Sequence, residues 1–239
     1  MPDSATSPDF VPTQRTRVRR MHERGRYDRK TVYAILDAAL VCHVGYVIDG
    51  LPYVTPTLFW REGERLYWHG SSASRMLRQQ STGIPVCVTV SHVDGLVVAR
   101  SGFHHSLNYR AVMAFGTAAI VADEAIKTAG LNAFVERLYP GRNKQIRPIL
   151  PQELKATMLM SMVIEEVSAK VRTGGPVDDE ADYALDCWAG VIPIEARVGA
   201  AIPDERLKPG IPLLDGLRHW VEGGALPEII GALTRSADE

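Results

Sequence analysis

The sequence of 239 residues has few cysteines and almost no net charge, and each shortage excludes a class of protein. Its three cysteines, Cys42, Cys87 and Cys187, are odd in number and widely spaced, so they provide neither a disulfide framework nor a zinc site. Cys42 and Cys87 lie in apolar runs. This position indicates small buried side chains rather than a catalytic thiol.

The sequence also lacks the roughly 18 consecutive apolar residues that a membrane-spanning helix needs. Its first residues lack the pattern of a signal peptide, so we expect a cytoplasmic protein that does not bind membranes. The formal net charge of −1 gives no general attraction to nucleic acid. Residues 15–30 are nevertheless basic, with eight Lys and Arg. One interpretation of this segment is an arm that binds nucleic acid. The favoured interpretation is a solvated segment that leads into the domain and packs on a partner subunit.

Short β-rich runs joined by tight turns fill the middle of the chain. The run VCHVGYVI ends at Asp49-Gly50, and LPYVTPTLFW and RLYWHG follow it, which predicts a three-stranded meander. Two further strands are expected around Asp94-Gly95, and a longer strand contains Gly116. Helical periodicity is confined to the flanks. The pattern predicts a mainly β protein with peripheral helices, a β-barrel to which helices are appended.

Composition divides the chain into three parts. We expect a flexible basic leader over residues 1–26, a barrel domain over 27–195 and an acidic helical extension over 196–239. From residue 177 onward the chain holds thirteen acidic and only five basic residues. The run LLDGLRHWV in this part is the expected closing helix.

The junction between the run RLYWHG and the next helix has the chemistry of a phosphate site. We expect Ser71 or Ser72 to cap this helix. The unpaired N–H groups of its first turn would bind an anion together with the serine hydroxyls and Arg75. A plain serine cap beside a solvated arginine explains the same residues, and on this segment alone it is the favoured explanation.

Two other segments concentrate polar side chains between apolar strands. Residues 102–110 include His104 and His105, and they predict a pocket wall for a flat, hydrogen-bonding ligand. A metal site is disfavoured there because adjacent strand residues point to opposite faces. Lys170 and Arg172 alternate with small apolar residues and share one strand face, which is either an exposed face or an anion site.

These motifs, taken in order, resemble those of the FMN-binding split-barrel superfamily. The segments are TVYAILDAALVCHVGYVIDGLPYVTPTLFWREGERLYWHGSSASRML, GFHHSLNYRAVMAFGTA, VSAKVRTGGP and CWAGVIPI, and they lie within residues 27–195. Within the superfamily they are most similar to the pyridoxamine 5'-phosphate oxidase-related flavin-nucleotide-binding branch, which includes nitroimidazole-resistance-type reductases. The resemblance implies a six-stranded split β-barrel that forms a homodimer, with FMN in grooves at the subunit interface.

The resemblance also implies cofactor-binding residues in this sequence. On the strand along the flavin ring they are Thr55, Pro56 and Thr57. At the phosphate junction they are His69, Ser71, Ser72 and Arg75. In the segment that contacts the ring or the ribityl chain they are Ser106, Asn108, Tyr109 and Arg110. From the partner subunit they are Lys170, Arg172 and Trp188.

The resemblance leaves the activity open. The first hypothesis is an FMN-dependent oxidoreductase acting on a small organic substrate, with His105, or else His104, as the proton donor. The C-terminal arginine motif of true pyridoxamine phosphate oxidases is missing, so we do not expect that substrate. No Rossmann fingerprint is present, so NAD(P)H would be a diffusing reductant. The alternatives are a non-catalytic flavin-binding or flavin-sensing protein and a haem- or deazaflavin-handling protein, for which His219 is the one histidine of the tail.

Overall fold

A computed structural model describes residues 9–238, with side chains described as far as Arg235. The chain folds into nine strands and five α-helices within this range. The strands are β1 (Gly25–Arg26), β2 (Val41–Ile48), β3 (Leu51–Glu62), β4 (Arg65–Ser71), β5 (Pro85–Val98), β6 (Ser106–Ile120), β7 (Thr157–Val163), β8 (Glu166–Arg172) and β9 (Gly190–Pro193). The helices are α1 (Arg29–Asp37), α2 (Arg75–Gln80), α3 (Glu124–Leu138), α4 (Pro151–Ala156) and α5 (Leu226–Asp238).

Six strands close into a ring in the order β2, β3, β4, β7, β6, β5, and every pairing in it is antiparallel. Strands β8 and β1 extend the sheet from β6, and β9 extends it from β5. The predicted fold, mainly β with a six-stranded barrel and peripheral helices, is therefore confirmed. The tight turns at Asp49-Gly50 and Gly63 join three consecutive strands, as hairpin chemistry requires.

The core fills the barrel because apolar residues alternate along each strand. Trp68 on β4 is fully buried, and its indole N–H donates to Gln80 Oε1 at 2.9 Å, which gives the polar edge of the ring a partner. Helix α1 covers one end of the barrel with Val32, Ile35 and Leu36. The same helix is joined to β3 by a buried ion pair.

The long strand β6 changes its neighbour at Gly116. Before this residue it pairs with β8, and after it the strand pairs with β7. A side chain at Gly116 would place its Cβ 2.3 Å from the carbonyl oxygen of Val163, so only glycine allows the two backbones to approach so closely. A glycine inside a strand predicts a bulge or tight curvature, but the register with β5 is regular through Gly116, so no bulge lies there.

Three local predictions were wrong. Asp94-Gly95 does not end a strand, because β5 runs through it with a bulge between Val93 and Gly95. The run PQELKATMLM predicts a helix over residues 151–160, but α4 ends at Ala156. The run SMVIEEVSAKVRT predicts one strand over residues 161–173, but the chain divides it between β7 and β8.

The described part of the basic segment before α1 makes contacts with the barrel. Thr16 is buried, Arg15 lies over the ring of Phe115 at 5.0 Å, and β1 pairs with β8. The first eight residues of the predicted leader lie outside the described residues.

The C-terminal extension folds back onto the helices. The predicted helix over LLDGLRHWV is only a short 3₁₀ turn, Asp215–His219, and the true helix of this region is α5. The indole N–H of Trp220 donates to the carbonyl oxygen of Leu138 at 2.8 Å, and buried Ile230 and Leu233 lie on α5. The extension therefore packs on the end of α3.

Of the two cysteines that were expected to be buried, Cys42 is buried and Cys87 is half-buried. Cys42 is buried in the core, and burial raises the pKa of its thiol to about 12. Burial also raises the pKa of Cys87. Neither thiol is therefore a ready nucleophile, because the thiolate is the reactive form.

Candidate functional site

An arginine and two tyrosines form an aromatic corner where β3 meets α2. The Arg75 Nη2 donates to the hydroxyl of Tyr53 at 3.1 Å, and its guanidinium carbon lies 5.1 Å from the centroid of that ring. Tyr53 stacks on Tyr46 with centroids 5.6 Å apart, and the Tyr46 hydroxyl is 3.1 Å from Thr55 Oγ1. Neither tyrosine was predicted as a site residue from the sequence. The two tyrosines are direct cross-strand neighbours in the first hairpin, and this register is the signal from which their contact could have been predicted.

The strand along the predicted flavin ring has two different faces. Thr55 and Thr57 are half-buried on the side of Tyr53, whereas Pro56 is exposed on the opposite side together with Val54. The three predicted residues therefore do not line one surface. Only the two threonines share a face with the aromatic corner.

The turn after β4 corrects the prediction of the helix cap. Ser74 is the cap of α2, since its side chain accepts from the N–H of Leu77, and neither Ser71 nor Ser72 has this role. Ser71 Oγ instead accepts from the N–H of Ala73 at 3.2 Å. Arg75 is the first residue of the helix, and its side chain and that of Ser71 are exposed. The chain thus presents two serines and an arginine on one accessible turn.

His69 lies apart from this turn, although it was predicted to belong to it. Its ring packs under α3, 5.1 Å from the ring of Phe134 and 6.1 Å from that of Trp60. Its Nδ1 atom is buried, with no hydrogen-bond partner among the described residues. Burial lowers the pKa of His69, so the imidazole is neutral at pH 7.

A second group of predicted residues forms a buried network between β6 and β8. The Arg172 Nη1 donates to Asn108 Oδ1 at 2.6 Å, and Asn108 Nδ2 donates to the carbonyl oxygen of Gly174 at 3.1 Å. Arg172 Nη2 reaches the carbonyl oxygen of Gly175 at 3.1 Å. These bonds hold the loop that follows β8. Both side chains are buried, so the alternative of an exposed strand face does not apply to Arg172.

Three of the four remaining predicted residues of this region lie on the same two strands, and Trp188 does not. Tyr109 is the cross-strand neighbour of Arg172, and Lys170 is that of Gly25. Ser106 begins β6 and is half-buried. Trp188 is exposed just before β9. Within the described part of the chain, no hydrogen bond joins this group to the aromatic corner.

The two adjacent histidines lie in a turn, not on a strand. Because β6 begins only at Ser106, the alternation of strand faces cannot select one of them, as we had expected it to. His105 is exposed, and its Nδ1 is 2.7 Å from the carbonyl oxygen of Ser101. His104 is half-buried, with Nε2 at 3.5 Å from Asp179 Oδ2. Their role as proton donors stays a prediction.

Arg110 is held at the end of the barrel by a bidentate ion pair. Its Nε and Nη2 donate to the two carboxylate oxygens of Asp94 at 2.9 and 2.8 Å. This geometry fixes the plane of the guanidinium. His92 on β5 is the cross-strand neighbour of Arg110, and its Nε2 is 3.0 Å from the carbonyl oxygen of Ile35.

Two large cavities adjoin the C-terminal extension. The first, which we call the α3–α5 cavity, has a volume of about 710 Å³. Its lining consists of Ala133, Glu136, Arg137, Pro140, His219, Glu228, Ile229, Ala232 and Leu233. The second, the α1–α5 cavity, has a volume of about 880 Å³ and contains Arg110 and His92 in its wall. Both volumes fall in the range of small-molecule sites, roughly 300–1,000 Å³.

Burial of His69 and His92 predicts a pH dependence of stability. Burial lowers the pKa of both imidazoles in the folded chain, so protons bind more tightly to the unfolded chain, whose histidines titrate near about 6.5. The stability is therefore fully present above this pH and is lost as the pH falls through it. Melting temperatures measured from pH 7.5 to 5 are expected to fall.

A double histidine variant separates the contribution of these two imidazoles to the pH dependence from that of the carboxylates. His69→Gln with His92→Gln should flatten the slope between pH 6.5 and 5.5. His22→Gln is the control because the side chain of His22 is 86% exposed. An equal slope in the double variant and the wild type would contradict the assignment.

Two searches of the described residues gave negative results. None of the helices within residues 9–238 is both long and apolar enough to cross a bilayer. In the same part of the chain, no cluster of three or more His, Cys, Asp or Glu side chains is arranged to hold a metal ion.

Comparison with known proteins identifies the family. The model of the pyridoxamine 5'-phosphate oxidase family matches residues 28–171, which is more than half of the chain. The chain belongs to this family. The matched segment begins at the cap of α1 and ends in β8, so it contains the whole six-stranded ring of this family member.

Two solved structures resemble almost the entire chain. The flavocytochrome Anf3 from Azotobacter vinelandii is 47% identical, with a TM-score of 0.84, and the match covers 90% of this chain and 100% of that one. The FAD and haem binding protein from Mycobacterium smegmatis is 35% identical, with a TM-score of 0.80, and the match covers 85% and 98% of the two chains. The first match leaves about 24 residues uncovered, fewer than the 44 of the extension, so it includes part of the extension.

A more distant structure shows the fold alone. A protein assigned to 5-nitroimidazole antibiotic resistance from Bacteroides thetaiotaomicron is 22% identical, with a TM-score of 0.50, over 62% of this chain and 86% of that one. No match was found among curated protein sequences.

Proposed function

We propose that this family member is a flavin-dependent oxidoreductase that carries a haem as a second redox group. The observation that carries the proposal is the α3–α5 cavity, which the C-terminal extension completes and which has an imidazole in its wall. The names of two relatives support this choice of groups, since one is a flavocytochrome and the other an FAD and haem binding protein. A bound flavin supplies hydride chemistry, and a bound haem supplies one-electron chemistry.

Several side chains of the α3–α5 cavity would suit a haem, although Glu136 and Glu228 also line it. His219 offers an imidazole, the commonest protein ligand of haem iron. Ala133, Ile229 and Leu233 offer apolar surface for the porphyrin. Arg137, which is buried beside this surface, suits a propionate, because a guanidinium binds a carboxylate through two parallel hydrogen bonds.

The turn after β4 and the aromatic corner suit a flavin. Ser71, Ser72 and Arg75 provide accessible donors for a phosphate, and Tyr53 holds the arginine from the other side. We propose FAD, which the mycobacterial relative binds according to its name, in place of the FMN that the family resemblance implies. Extraction of the purified protein, followed by separation of the released flavin, distinguishes the two nucleotides.

The absorption spectrum of the purified protein tests the function as a whole. Flavin bands together with a haem band, both near one equivalent per chain and both altered by a reductant, are the expected result. A spectrum with flavin alone would leave a flavin-binding or flavin-sensing protein, and a spectrum with neither would end the proposal. The small organic substrate stays part of the proposal, with the turn histidines as its candidate proton donors.

Arg75→Ala is expected to weaken flavin binding by about 1.5–3 kcal/mol, the contribution of a hydrogen bond to a charged group. Titration of the flavin-free protein with the extracted nucleotide measures the effect. Arg65→Ala is the matched control, because Arg65 is an equally exposed arginine in the preceding hairpin. An affinity that Arg75→Ala leaves unchanged would remove this residue from the site.

We also propose that the protein is a homodimer. The outer face of β2, β3 and β6 is apolar, yet a single chain leaves it exposed, and such faces mark interaction sites. Its exposed residues include Val41, Val47, Val54, Leu58 and Met113. Sedimentation is expected to give twice the chain mass of 26.3 kDa. A monomer that retains its flavin would contradict the proposal.

A further inference from the structure

The α1–α5 cavity is separate from the residues assigned above to the haem and to the flavin phosphate. It lies between α1, the bulged part of β5, the neighbouring part of β6 and the extension, and Ala34, Ala38 and Pro227 contribute to its wall. Glu228 is the one side chain that this cavity shares with the α3–α5 cavity.

The hydrogen-bonding state of His92 is fixed by its contact with α1. A carbonyl oxygen can only accept, so the Nε2 atom that lies 3.0 Å from the carbonyl oxygen of Ile35 carries the proton. Burial lowers the pKa of this imidazole and outweighs the hydrogen bond to Ile35, which raises it, so the ring is neutral at pH 7. The Nδ1 atom is then a hydrogen-bond acceptor.

Arg110 supplies donors next to this acceptor. Its two bonds to Asp94 use two of the five N–H groups of the guanidinium and leave three for other partners. The bidentate pair also keeps the guanidinium plane fixed against the cavity wall. The wall therefore places a neutral acceptor and a rigid set of donors side by side.

The charges around the cavity do not favour an ion. Arg110 is neutralised by Asp94, and Glu195 is paired with Arg197. The side chains of Glu228 and Arg235, both on α5, carry opposite charges. An anionic ligand would meet three carboxylates, and a cationic ligand would meet two guanidinium groups in the lining.

We propose that the α1–α5 cavity binds an uncharged organic molecule that carries an amide or a lactam. The N–H of such a group matches the acceptor on His92, its carbonyl oxygen matches the donors on Arg110, and the alanines of the wall contact its apolar part. None of the residues that the proposed function assigns to the haem or to the flavin phosphate carries this inference, so it stands or fails independently of the proposed function.

Three probes of the same shape test the chemistry. Benzamide is neutral and carries both a donor and an acceptor, benzoate is anionic without a donor, and benzamidine is cationic without an acceptor. Calorimetric titration of the full-length protein as purified is expected to show saturable binding of benzamide at a single site. Benzoate and benzamidine should bind at least tenfold more weakly. Equal binding of all three, or binding of none, would overturn the proposal.

Two alanine positions locate the site. Ala34→Phe fills the α1–α5 cavity without removing a polar group, and it should raise the dissociation constant of benzamide at least tenfold. Ala133→Phe is the matched control, since Ala133 is also an exposed helical alanine but lines the α3–α5 cavity. It should change the constant less than twofold.

His92→Phe completes the set by removing the acceptor while keeping a ring. It should weaken benzamide binding like Ala34→Phe, and Ala34→Phe decides the matter if His92→Phe does not fold. The reverse pattern, with loss of binding in Ala133→Phe alone, would assign benzamide to the other cavity and overturn the proposal.

Discussion

His219→Ala is expected to abolish stoichiometric haem binding and to leave the flavin content unchanged. The imidazole of His219 is in the wall of the α3–α5 cavity, whereas the proposed flavin residues lie on the turn after β4. Loss of an outer-shell partner already costs about 10–100-fold in metal affinity, so loss of the iron ligand itself should cost at least that much. The ratio of the haem band to the flavin band in the purified variant measures the effect.

Two further histidine variants make this result specific. His92→Ala changes the neighbouring cavity and should retain its haem. His219→Met keeps an atom that can bind iron, so it should retain some haem with a shifted band, because methionine is also an axial ligand. If His92→Ala loses the haem and His219→Ala keeps it, the iron ligand lies in the α1–α5 cavity and our assignment is wrong.

The barrel could be predicted from the sequence because its signals are local. Asp49-Gly50 forces a reversal of the chain, and the alternation of apolar residues on both sides sets which faces are buried. The same dipeptide at Asp94-Gly95 does not reverse the chain. There the backbone makes a bulge inside a continuous strand, because β9 and β6 pair with β5 on both sides and keep it extended.

The candidate sites could be predicted only in part, because they depend on contacts between distant segments. Arg75 was predicted, but its partner Tyr53 is 22 residues away in sequence. The bond between Trp220 and Leu138, which helps to dock the extension beside the α3–α5 cavity, joins residues 82 positions apart. No periodicity or motif encodes such a pair. The predicted helix around His219 was wrong for the same reason, since tertiary packing reduces it to a single 3₁₀ turn.

Gly216→Ala is expected to undock the extension from α3 without unfolding the barrel. A Cβ at this position would lie 1.6 Å from the carbonyl oxygen of Pro140, and backbone atoms cannot yield as a flexible side chain would. Overpacking of this kind costs about 1–3 kcal/mol or more, which exceeds the stability of many local elements. The 3₁₀ turn that holds His219 should therefore separate from the end of α3.

Two measurements detect the undocking of the extension. Haem content should fall as it does in His219→Ala, and limited proteolysis within residues 196–224 should become faster. The flavin content should stay at the wild-type level, because the barrel core does not include the extension. Gly199→Ala is the control within the same segment, since nothing lies within 4 Å of its added Cβ and its backbone does not require glycine. Wild-type haem content together with wild-type proteolysis in Gly216→Ala would show that the extension does not need this contact. The α3–α5 cavity would then have to be held closed by α5 alone.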